Sequence, residues 1–249
     1  MEDTESNWSS TLPENVQKVL GSLVSAAEEA FGPDLVSIVL FGSAAEGRLR
    51  ATSDVNLLFL LDRFDRKRAD PFREALRVGY TACRLSAMFV LRSEIDMAFD
   101  AFAVKFADIS RRHRVLYGQD LLSAHVASRD ARIRTLRQIL LNLAIRLRER
   151  YMVTSLREEQ LTLVIAEVAS PVRSAAAAIL ELEGKSTPPP KQALETLVSS
   201  LEGSDWGEML LRLSQARETR SLPPGVASET IGSLMALLEA MRGCVERLA

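Results

Sequence analysis

The sequence predicts an α+β protein, with a small mixed β-sheet domain with helices over residues 1–127 and an α-helical bundle over 128–249. Three observations carry this reading. Two short, wholly apolar runs, 38–41 and 57–61, are each bounded by turn signals, as buried strands are. A long amphipathic segment precedes them. After Ser128 strand signals fade, and four or five long segments with helical apolar periodicity follow. At 249 residues there is ample chain for two cores.

Taken in order, the chain opens on MEDTESNWSS, acidic and polar, without the basic start and apolar centre of a signal peptide. Leu12-Pro13-Glu14 begins a helix reaching Phe31, with Val16, Val19, Leu20, Leu23, Ala27 and Ala30 as its stripe and Gly32-Pro33 as its stop. A strand over 36–41 turns at Gly42-Ser43 into a short helix, and a second strand ends at Leu61. The charged stretch 62–70 reads as a solvated loop, with Arg66 and Lys67 available to a phosphate. Pro71 starts a helix to about Ala82, with Phe72, Ala75, Leu76 and Tyr80 facing inward. Residues 84–91 form a third strand containing no acid. Ser93-Glu94-Ile95-Asp96 is a helix start, where Asp96 and Asp100 fit either capping or a ligand role. The apolar segment 99–109 packs on the sheet, and Val115-Leu116-Tyr117 is a short buried run ending at Gly118. The basic cluster before it, Arg111 to Arg114, fits either a phosphate cleft or a domain junction.

The helical half follows. A helix over 129–152 has Ile133, Leu136, Ile139, Leu140, Leu143 and Leu147 along one side and seven arginines against two acids. Such a basic face meets solvent, partner acids or phosphate. The next helix, 158–183, should be kinked or divided at Pro171. GKSTPPP is a connection; its GKS lacks the glycine spacing and preceding strand of a P-loop. Helices over 191–201, 206–217 and 228–248 complete the bundle.

Composition narrows the function classes. The formal charge of −2 gives no field for non-specific nucleic-acid binding, so a nucleic-acid partner is not expected. Cys83 and Cys244 read as buried free thiols, and the two histidines are badly spaced for zinc. No apolar run approaches the roughly 20 residues that span a bilayer. The expectation is a cytoplasmic protein that does not enter a membrane.

The stretch SIVLFGSAAEGRLRATSDVNLLFLL, residues 37–61, resembles the nucleotidyltransferase superfamily of DNA polymerase beta, the aminoglycoside nucleotidyltransferases and the antitoxin-type enzymes. There a strand ends in Gly-Ser, and Ser-Asp-x-Asp-hydrophobic opens the next strand. Gly42-Ser43, Gly47 and Ser53-Asp54-Val55-Asn56-Leu57 fall at those places, and Val-Leu-Tyr-Gly-x-Asp at 115–120 recurs in bacterial members. The resemblance implies nucleotide binding by Gly42, Ser43, Arg48 and Ser53, and a magnesium site on Asp54 and position 56. Residues 54 and 56 of a strand share a face, so the pairing is geometrically sound. The sequence departs from the pattern at Asn56, which carries a neutral amide where the family has a carboxylate. It also departs in the acid-free third strand and at Glu46, where a basic residue is usual. Three functions follow: a binder of a nucleoside triphosphate or other phosphate ligand with weak or absent transfer; an active magnesium-dependent enzyme moving a nucleoside monophosphate to a hydroxyl of a small molecule or protein; and a non-catalytic module binding a protein partner through its helical half.

Overall fold

The computed structural model describes residues 12–50, 53–154, 156–201 and 206–248; the acidic start discussed above lies outside them. The chain divides into two compact units, Met1–Ala127 and Ser128–Ala249.

In the first unit, α1 (Glu14–Phe31) and a 3-10 turn lead into β1 (Leu35–Phe41), followed by β2 (Val55–Leu61), α2 (Arg66–Cys83) and β3 (Leu85–Leu91). A further 3-10 turn leads to α3 (Ile95–Ala101), α4 (Ala103–Arg111) and β4 (His113–Gly118). The sheet order is β3-β2-β1-β4; β1 runs antiparallel to both neighbours, and β2 and β3 are parallel through the α2 crossover. Alternation sorts the side chains. Ile38, Leu40, Val55, Leu57, Phe59 and Leu61 join Leu20, Leu23, Phe31 and Phe72 in one core, so α1 and α2 cover that face. Phe59 stacks on Phe89 at 4.9 Å and meets Phe72 edge-on at 5.4 Å; Phe72 meets Phe31 likewise at 5.4 Å. Each such pair adds about 0.5–1.5 kcal/mol beyond the area it buries. Asn56, Leu58 and Leu60 point to the opposite face.

Several expectations are corrected here. The segment after Ser43 is not a helix but a run of tight turns, closed by Glu46 N–H to Gly42 O at 3.3 Å and Arg48 N–H to Ser43 O at 2.8 Å. Helix α2 begins five residues before Pro71: Asp65 caps it by accepting from Lys67 N–H at 2.8 Å, and Arg66 and Arg73 flank Asp70. The stretch 62–70 is therefore half helix, its mixed charges pairing along the helix surface. Tyr80 is 71% exposed; Gly79 takes the inward place against Leu85. Arg84 lies outside β3, in a left-handed conformation that ends α2.

The second unit contains α5 (Arg129–Thr154), α6 (Glu158–Leu182), α7 (Pro190–Ser199), α8 (Gly207–Thr219) and α9 (Val226–Glu246). Helix α6 is its centre, packed by each of the other four. It runs unbroken through Pro171, so that residue neither ends nor divides it. By length and composition α6 would suffice to cross a membrane, contrary to the expectation drawn from the sequence. However, 72% of its apolar window is buried within the unit, so its composition is that of a core helix. Arg173 in its middle is 6% exposed and donates to Ser214 Oγ at 2.8 Å. At its start Glu158 reaches across to α9, where Oε2 accepts from Ala227 N–H at 3.1 Å. Both cysteines are free thiols; Cys244 is buried and Cys83 half-buried, where burial pushes its thiol above the ordinary value.

Candidate functional site

The site lies where β1 ends and β2 begins, because their antiparallel register sets Phe41 opposite Asn56. Gly42 follows with φ of 77°, and a side chain there would stand 3.7 Å from Asn56 Nδ2. Gly42 N–H donates to Arg112 O at 3.1 Å, tying the loop to the residue before β4. Ser43 is half-buried at the first turn. Among the described residues its hydroxyl has no hydrogen-bond partner. With no helix behind it, the loop offers turn amides to an anion rather than a helix N-terminus.

The charged residues of this loop are engaged with protein groups. Glu46 accepts from Arg112 Nη1 at 2.9 Å and pairs with Arg48 on its other oxygen. Arg112 in turn holds Asp108, with Nε at 2.9 Å from Oδ1 and Nη2 on the second oxygen. Burial works against the Arg112 charge, but Asp108 and then Glu46 outweigh it and hold the guanidinium above its ordinary value. The acid at position 46 therefore has a structural explanation. It is the far end of a bridge that clamps the loop to α4. Arg48 pairs with Glu46 while its side chain stays 48% exposed, and Arg112 of the basic cluster braces the loop. Ser53 closes a turn with Arg50, donating its N–H to Arg50 O at 2.9 Å and accepting Arg50 N–H on its hydroxyl at 3.4 Å.

Asp54 immediately precedes β2 and Asn56 is the second residue of that strand. Asp54 Oδ1, half-exposed, accepts from Arg84 Nε at 2.8 Å. The Asn56 amide nitrogen is directed at the Asp54 carbonyl, 3.3 Å away. Across the parallel register Asn56 lies beside Ser86, so β3 contributes a hydroxyl where a third acid is expected. Asp96 is taken by His125, 3.2 Å from its Nε2. Among the described residues no group of three acids, cysteines or histidines is placed to hold a metal. Hard divalent cations take oxygen ligands, and a two-metal centre needs several charged ones. One carboxylate shared with a guanidinium does not fit it. Three of the seven arginines of α5 are engaged inside the helical unit: Arg132 sits 2.8 Å from Glu181, Arg137 2.7 Å from Glu246, and Arg129 donates to Leu248 O at 2.8 Å.

A second feature follows β4, at the Asp that closes the 115–120 motif. Asp120 accepts from the amides of Leu122 and Ser123 at 3.1 Å each, from the Ser123 hydroxyl at 2.5 Å, and lies 3.2 Å from His113 Nε2. Burial pushes this carboxyl up, but the Ser123 and His113 interactions prevail and hold it below its ordinary range. Its contribution to stability is thus fully present above the ordinary carboxylate range and is lost as pH falls through the folded value. In acid-unfolding curves Asp120→Asn should flatten the loss of stability on the acid side; an unchanged slope would remove Asp120 from the account.

Against known proteins, no family model matches the chain. It is 36% identical over 55 residues to a "Putative protein adenylyltransferase" of Methanocaldococcus jannaschii; the match takes in 22% of this chain and 37% of that protein, little over a third of its length. Among solved structures it is similar to the spectinomycin adenyltransferase AAD(9) of Enterococcus faecialis, crystallised with ATP and spectinomycin. The TM-score is 0.64 at 11% identity, covering 89% of this chain and 98% of that one. The fold is that of the nucleotidyltransferases: a small mixed sheet with helices, then a helical unit.

Proposed function

We propose that the chain binds the phosphates of a nucleoside triphosphate, or a related phosphate ligand, at the Gly42-Ser43 loop, with weak or absent nucleotide transfer. The observation that carries this is the Asp54–Arg84 pair beside Asn56. The place that holds charged metal ligands in active members here holds one carboxylate, already engaged by a guanidinium. Phosphoryl chemistry depends on positioning and on opposing the charge that develops in the transition state, so losing metal ligands removes most of that stabilisation. Binding needs less: a glycine that lets backbone come close, a hydroxyl unengaged among the described residues, and turn amides. The AAD(9) structure was crystallised with ATP, which makes ATP the first ligand to test.

The test is calorimetric titration of ATP and the other ribonucleoside triphosphates, with magnesium and with EDTA, beside an assay of pyrophosphate release with spectinomycin as first acceptor. Binding in either condition, with pyrophosphate release at the uncatalysed rate, is the expected result. Saturable release would replace this reading with an active transferase. No binding in either condition would leave the fold serving contacts alone.

A further inference from the structure

The disagreement between this site and a metal centre points to what takes the metal's place. Arg84 ends α2 in the left-handed region, φ 53° and ψ 43°, a conformation that glycine adopts without cost and a branched chain does not. Arg220 adopts the same backbone at the end of α8, so the conformation alone singles out nothing. What distinguishes Arg84 is where the side chain goes: Nε lies 2.8 Å from Asp54 Oδ1, on the residue where a metal-binding acid belongs. That bond uses one of five N–H donors. A guanidinium keeps its charge at every working pH and presents its donors as a planar fork that fits phosphate oxygens. A second cation stands nearby on the same face. Ser86 and Met88 of β3 share the face of Asn56, and Lys105 of α4 places Nζ 3.5 Å from Met88 Sδ. Among the described residues Lys105 has no carboxylate partner. Met88 lies four residues beyond Arg84, at most about 13 Å along the strand, a gap that the length of the two cationic side chains can narrow toward one polyphosphate tail.

We propose that this is a metal-independent polyphosphate site, in which Arg84, part of its charge offset by Asp54, acts with Lys105 to supply the positive charge that a divalent ion supplies elsewhere in the fold. The ligand class is the di- or triphosphate tail of a nucleotide, bound free of magnesium. The proposal rests on the phosphate-binding reading above and goes beyond it by naming the residues and the metal-free state of the ligand.

The experiment titrates ATP into the full chain in EDTA and in magnesium, for the wild type, Arg84→Gly and Asp54→Ala. Glycine suits the backbone at position 84, so Arg84→Gly removes the guanidinium without a folding penalty, checked by an undiminished thermal midpoint. The wild type should bind ATP in EDTA at least as tightly as in magnesium. Arg84→Gly should weaken the EDTA binding about tenfold or more, in line with the loss of charge-assisted hydrogen bonds. Asp54→Ala removes a negative charge from beside the anion and should tighten it. A metal site predicts the opposite sign for Asp54→Ala. Binding seen only with magnesium, or unmoved by Arg84→Gly, would overturn the inference and leave phosphate binding standing. No binding in either condition would remove the phosphate-binding reading and this inference together.

Discussion

Gly118→Ala is expected to destabilise the first unit by about 4 kcal/mol or more, in the rare tail of single substitutions. Gly118 closes β4 opposite Ser37 of β1, with φ of 76°. A Cβ there would fall 2.0 Å from Val36 O, 3.0 Å from Val36 C and 3.1 Å from Ser37 Cα. All three are backbone atoms of the strand next to it, so no side chain can swing aside. The left-handed backbone adds about 1–2 kcal/mol for any residue with a β-carbon. Relief of the clash means pulling β4 away from β1, which also breaks the 3.0 Å bond from the fully buried Ser37 hydroxyl to Tyr117 O. Gly225→Ala is the internal control: its φ is 84°, yet nothing lies within 4 Å of the new methyl. That variant should lose only the conformational part, and urea midpoints of the two should differ accordingly. Equal losses would mean the close approach at Gly118 is unimportant.

The second large effect is at Arg112. Its side chain is 14% exposed, against 21% for Asp108 and 23% for Glu46. Arg112→Ala strands two half-buried carboxylates at once. Removing one partner of a fully buried pair costs about 3–5 kcal/mol. Here Arg48 remains with Glu46 and Arg111 with Asp108, so the expected loss is nearer about 2–3 kcal/mol. Lysine should restore less than half, because the forked contact to two separate acids is beyond an ammonium. Adding Glu46→Gln to Arg112→Ala should recover part of the loss by neutralising one stranded acid. Additivity in that double variant would refute the bridge as a unit. The loop at Gly42 should also bind phosphate more weakly in Arg112→Ala, since its anchor is gone.

The strands and helices were legible where the chain itself is repetitive. Residues 57–61 are apolar without interruption, and α9 buries its expected Ile231, Leu234, Leu238, Met241 and Val245. Illegible features depend on partners distant in sequence or on competing local rules. Glu46 and Arg112 are 66 residues apart, and nothing in either neighbourhood announces the bridge. Proline at 71 looks like a helix start; capping by Asp65 and the charge pairs around Asp70 moved the start upstream. At Pro171 packing on every side of α6 kept the helix continuous where the local rule expects a break. In the site, sequence identified the missing acid at Asn56 but not its replacement. The apolar run after it draws Arg84 into the predicted strand, whereas its reach back to Asp54 depends on the left-handed turn that only the structure displays.

The burial of α6 has a consequence for how the protein is made. During synthesis this most apolar helix emerges from the ribosome before α7, α8 and α9, which help to cover it. The 64 residues (246 − 182) between its end and the end of α9 take roughly 3–13 s to polymerise at about 5–20 residues per second. For that interval a nascent segment apolar enough to pass for a membrane anchor is short of its partners, so chaperone demand should peak there. Chains stopped before α9 should accumulate in aggregates even though their first unit is already complete.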